Sequence, residues 1–414
     1  MMRIMVDRVE ESRNTIVGWA WRLAVLFASV GLASGGEFAL IKIPIGVSLQ
    51  AVWTILSLIV LLGCAFLTWR VIQVRVTLVF SLIVLIWMSF SGVVIDQNGF
   101  RGAYVIATLC FILSISISLG GLAQERNLLS FYWAGICVMV IAPFVILCGM
   151  ASDKRILQMT VAFATILILL HFELNRPDTY QYILGYLTIT VASVFVYFDG
   201  ARTASVTLML AVLAYLFVGR SGGAMTRYVF TFSQIILCGW GAMLSHLSGQ
   251  WTQGDQGVVV GTISINTNGR TTLWAGALDQ AAQNPNPWGW LLGSGVGTSA
   301  DSSLEVLGQS SPLNEYVRFF LDFGAIGLLG LLMLFIFMFT TMARLARTTG
   351  CRAIGVLGLV LVLGLALFSA TENMMSYSWA LIPVGTVLGL LISRTHSPSL
   401  NSSLTQQDGI CQVK

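Results

Sequence analysis

Apolar runs of about twenty residues recur along this chain from one end to the other, and they leave few folds open. A bilayer core is crossed by about 20 apolar residues in a helix. Its dryness forces every backbone polar group to find a partner inside the protein. The runs fall at 16–33, 51–69, 76–95, 103–122, 128–149, 156–173, 180–198, 204–218, 228–248, 317–342, 353–369 and 375–393. They predict an all-α polytopic membrane protein with about twelve transmembrane helices. Charged residues make up only 10% of the 414, against about 25% in soluble domains, so no large soluble domain fits in the remainder.

An even number of spans puts both termini on one side. With the N-terminus inside, the inner segments carry Arg3, Arg8, Arg13, Arg70, Arg75, Arg126, Arg176, Arg220, Arg227, Arg344, Arg347, Arg352, Arg394 and Lys414. The outer segments carry only Lys42, Arg101, Lys154, Arg155, Arg202, Arg270 and Arg318. That bias sets the expected orientation. The first run has a basic start and a GLASG that resembles a cleavage site, but Arg22 interrupts its apolar core. An uncleaved anchor is expected. No cysteine falls in an outer loop, so no disulfide is expected there. The expected divisions are a membrane bundle at 1–248, an outer loop at 249–315, three more spans at 316–393 and a disordered cytoplasmic tail at 394–414.

Polar and turn-forming residues gather in that one large loop, between the ninth and tenth spans. Its segment GVVVGTISI, 257–265, is strand-prone. Asn268 and Gly269 make a turn, and TLWAGALDQAA after Thr271 suits a helix with Trp274 on one face. Arg270 then sits at that helix's N-terminal end, a good place for an anion. Gly289, Gly293, Gly295 and Gly297 let backbone approach a ligand closely, or simply form a turn. Trp274, Trp288 and Trp290 suit sugar stacking or interfacial anchoring. Beyond the loop, SPLNEYVRFFLDFGAIGLLGLL reads as one helix that starts polar and turns wholly apolar.

Arg202 opens a span just after Asp199 and Gly200. It either pairs with Asp199 or a lipid phosphate, or joins Arg270 in gripping a diphosphate, whose oxygens suit two planar guanidiniums. Such a pair would stabilise the charge of a departing diphosphate. The acidic residues of the loop show no metal-ligand spacing and the chain has three His, so no metal site is expected.

NGRTTLW at 268–274, GSGVGT at 293–298 and NEYVRFFLDFGAIGLL at 314–329 resemble the shared block of the O-antigen ligase and Wzy-type polysaccharide polymerase superfamily. ARTA at 201–204 resembles the element that opens a span in the same proteins. The resemblance covers about 200–330. It implies an inner-membrane glycosyltransferase acting at the periplasmic face on an undecaprenyl-diphosphate-linked oligosaccharide, without metal, nucleotide or other cofactor. A polymerase transfers the glycan to another lipid-linked unit; a ligase transfers it to lipid A-core. By the same resemblance Arg202 and Arg270 bind the diphosphate, and partners are the lipid bilayer and the pathway's flippase and chain-length regulator, with no nucleic acid.

The family's ligases and many of its polymerases carry a His just before the Asn of the block, where this chain has Leu313. Polymerase is therefore expected over ligase. Glu315 becomes the first substitute as base, unless it merely pairs with Arg318 on a face shared with Asp322. His246, at the end of the ninth span, is the second candidate or else packs at the interface. Asn314 and Arg318 complete the expected substrate contacts. Glu372, at the outer end of the eleventh span, is a further functional candidate as an interfacial carboxylate at a helix end. The rival class is a lipid-linked oligosaccharide flippase, which calls for repeat symmetry and interrupted spans.

Overall fold

The computed structural model describes residues 22–26, 28–32, 49–67, 79, 103–120, 128–147, 154–198, 202–247, 257–260, 263–266, 274–276, 278–279, 282, 288–295, 297–299, 314–348, 350–372, 374 and 377–395. A helix stands at each expected span except 76–95, all but one residue of which lies outside the described residues. In chain order these are α1 (Arg22–Leu32), α2 (Leu49–Leu67), α3 (Ala103–Gly120), α4 (Leu128–Leu147), α5 (Lys154–Asn175), α6 (Thr179–Phe198), α7 (Arg202–Val218) and α8 (Ala224–Leu247). After the loop come α9 (Gly289–Leu292), α10 (Glu315–Arg347), α11 (Arg352–Thr371) and α12 (Ser378–Thr395). Among the described residues α5, α6, α10 and α11 are long and apolar enough to cross a membrane, and several shorter apolar helices accompany them. This is a helical protein of membrane character.

α5 is the central helix. Its apolar residues run all round it, and such a helix is stable only when buried on every side. The chain of residues from Leu157 to Phe172 is buried without interruption, and α4, α6, α7 and α11 pack around it. Lateral contacts are made close by small residues, as in other helix packings without water to drive them. Gly358 of α11 lies against the Met342 sulfur of α10, and Gly364 of α11 lies against Thr207 of α7.

The single strand expected at 257–265 is instead a hairpin. β1 (Gly257–Val260) and β2 (Ile263–Asn266) are antiparallel, with Val258 opposite Ile265.

α10 departs most from the sequence reading. It is two helices, at 315–323 and 325–347, joined at Gly324 with φ 66° and ψ −165°. The corner is sharp enough to fold the first helix back along the second. Tyr316 and Phe335 meet with ring centroids 6.1 Å apart, whereas a straight helix would hold them about 28 Å apart. A side-chain carbon on Gly327 would touch Phe323 and the Phe319 carbonyl. The Tyr316 hydroxyl donates to the Ala366 carbonyl of α11 at 3.1 Å.

Candidate functional site

The polar groups of interest collect where α5, α7 and the reversed part of α10 meet the end of α11. Arg202 is the first residue of α7 and is half-buried. The next residue, Thr203, shares a 3.0 Å hydroxyl–hydroxyl hydrogen bond with Thr371 at the end of α11. Glu372 follows, leaving the helix in extended backbone while its N–H donates to Phe368 at 2.7 Å. Its Oε1 lies 3.9 Å from Nη1 of Arg155 on α5. Arg155, Arg202 and Glu372 thus come from three helices to one end of the bundle, the end expected to face the periplasm. The Arg155–Glu372 pairing has no local signal in the sequence.

The short helix at 315–323 brings a second charged pair. Asn314 caps it: its Oδ1 accepts from the N–H of Tyr316 at 2.9 Å and of Val317 at 3.2 Å. That is the ordinary service of Asn at a helix start, so the side chain expected among the substrate contacts is engaged by its own helix. Glu315 is fully buried, and its Oε1 accepts from Arg318 Nη1 at 3.4 Å. The pairing weighed against a catalytic role is therefore formed. Asp322, four residues beyond Arg318, is also fully buried. Its Oδ1 accepts from the Ser299 N–H at 2.8 Å.

That contact belongs to a joint between the loop and α10. The corner at Gly324 interrupts the helical hydrogen-bond ladder near Leu321 and Asp322. Ser294 N–H donates to the Leu321 carbonyl and Gly295 N–H to the Asp322 carbonyl, both at 3.1 Å, so acceptors that helix ends leave open are satisfied by the loop. Gly293 (φ 82°) abuts the Asp322 carbonyl, and Gly324 abuts Leu291. Of the four glycines expected to form a turn or admit a ligand, Gly293 and Gly295 meet the α10 backbone. Beside the joint, Trp290 rests on Phe320 with ring centroids 5.1 Å apart, while Trp288 is exposed.

Of the remaining expectations, Arg270 and Leu313 lie outside the described residues. Trp274 is helical and half-buried. His246 lies in the last turn of α8, and its side chain is outside the described residues. Among the described residues no three His, Cys, Asp or Glu side chains cluster as metal ligands. No protein-family model matches the chain, and it has no match among curated proteins.

Proposed function

We propose that this protein is a membrane glycosyltransferase that polymerises undecaprenyl-diphosphate-linked oligosaccharide repeat units at the periplasmic face of the inner membrane, for an exopolysaccharide, capsule or O-antigen. The observation that carries the reading is the gathering of Arg202, Arg155 and Glu372 at one end of a largely apolar bundle, where Tyr316 of the NEYVRFF block also packs on α11. A charge cluster at one bundle end suits a substrate whose diphosphate sits at the headgroup level and whose tail stays in lipid. Arg202 and Arg270 hold the diphosphate. An acceptor hydroxyl attacks the anomeric carbon, its proton passes to a side-chain base, and the carbon–oxygen bond to phosphate breaks. The electron pair leaves with the diphosphate, whose charge the guanidiniums neutralise. Leu313, in place of the family's His, favours polymerisation over ligation to lipid A-core.

The test is glycan length in the native host carrying Arg202→Ala or Arg270→Ala, with the protein's membrane abundance measured alongside. Loss of long polymer with accumulation of single lipid-linked units supports the polymerase. Full-length polymer retained on its lipid carrier identifies a ligase. Normal polymer at normal protein level rejects the reading.

A further inference from the structure

Two carboxylates compete for the role of base, and their surroundings differ. Glu315 is wholly enclosed, and the Arg318 side chain that binds it is itself only 8% exposed. An acceptor sugar reaches that carboxylate only if the packing around it opens. Glu372 stands at the end of the bundle, with its side chain 13% exposed and its Arg155 partner 54% exposed. It is also one residue from Thr371, which is bound to the neighbour of Arg202. A base must lie within hydrogen-bond reach of the proton it takes. A base for glycosyl transfer must also lie close to the groups that hold the leaving diphosphate.

We propose that Glu372 is the catalytic carboxylate of this site and that Arg155 is a phosphate-binding cation beside Arg202. The inference rests on the glycosyltransferase reading above. In the resting state Arg155 and Glu372 hold each other. The incoming diphosphate draws Arg155 toward its oxygens, beside Arg202, and releases one carboxylate oxygen. That oxygen accepts the proton of the acceptor hydroxyl as the new glycosidic bond forms and the bond to phosphate breaks. Glu315 and Arg318 serve the fold by holding the reversed helix in the bundle.

The experiment compares Glu372→Gln, Glu372→Asp, Arg155→Ala, Glu315→Gln and Arg202→Ala in the native host. Polymer is measured per unit of membrane protein. Gln keeps the shape but carries no charge to pair with Arg155 at 3.9 Å and cannot take the proton. The expected loss for Glu372→Gln is about 100-fold, at the lower end of what a positioned base contributes, with partial recovery in Glu372→Asp. Arg155→Ala is expected to lose about tenfold and to be rescued in part by Arg155→Lys. Glu315→Gln is expected to lower protein abundance and leave polymer per protein within about threefold. If Arg202→Ala abolishes polymer while Glu372→Gln makes it normally, the Glu372 assignment is overturned and the glycosyltransferase reading stands. If Arg202→Ala and Glu372→Gln both make normal polymer, both are overturned. If Glu315→Gln loses activity per protein as Glu372→Gln was expected to, the base is Glu315.

Discussion

Gly293 and Gly324 lie backbone against backbone: a side-chain carbon on Gly324 would collide with Leu291 and with the Gly293 nitrogen. Both have positive φ, 82° and 66°. Any other residue at either place meets two penalties, one conformational and one steric. Gly324→Ala and Gly293→Ala are each expected to lower stability by about 2 kcal/mol or more. Gly330 has open space around it, so Gly330→Ala is the matched control and should be neutral or slightly stabilising. Thermal unfolding of the detergent-solubilised protein distinguishes them.

Arg318→Ala strands a buried carboxylate. The expected cost is about 3–5 kcal/mol, the usual result of removing one partner of a buried pair. The double change Glu315→Gln with Arg318→Met removes the stranded charge and should recover most of that loss. A double-mutant cycle on unfolding midpoints measures the coupling; additive effects would show that the 3.4 Å contact contributes nothing.

Asn314→Ala removes the cap of the reversed helix and leaves two N–H groups without their acceptor. A loss of about 1 kcal/mol is expected, and Asn314→Asp or Asn314→Ser should restore it. If the three variants melt together and activity falls equally in all of them, Asn314 touches substrate through its amide nitrogen rather than serving the helix.

Glu173 fastens the opposite end of the bundle. Its Oε1 accepts from the N–H groups of Arg220 and Ser221, each at 3.0 Å, and from the Ser221 hydroxyl. Glu173→Ala should free this turn and speed tryptic cleavage after Arg220 roughly tenfold, on the basis of about 1.5 kcal/mol for a hydrogen bond to a charged acceptor. Polymer length should not change, because no proposed substrate contact lies at that end. Unchanged cleavage would show that the Tyr215 hydroxyl, which donates to the Ser221 carbonyl at 3.0 Å, fastens the turn by itself.

The helices were legible because the length and apolarity of a span are properties of a short stretch of chain. The Glu315–Arg318 pair was legible for the same reason, since residues three apart share a helix face. The reversal at Gly324 was not. Apart from Asp322, FFLDFGAIGLL is apolar on both sides of Gly324, and hydropathy carries no direction, so two helices read as one. Nor was the Arg155–Glu372 contact, which needs α5 and α11 to be neighbours before either residue has a partner. The glycines of 293–297 were marked as places of close approach. What approaches Gly293, the Asp322 carbonyl, depends on where α10 lies.

The corner in α10 also settles a question of thickness. Its 33 residues laid straight would reach about 50 Å, far beyond a hydrocarbon layer of about 30 Å. Such a helix would have to tilt steeply, thin or thicken its lipid surroundings, or project into water with its apolar side chains bare. Folding back at Gly324 leaves 325–347 as a rod of about 34 Å, which fits with a modest tilt. The surplus length lies back along the rod, with Tyr316 beside Phe335, and one glycine makes that turn.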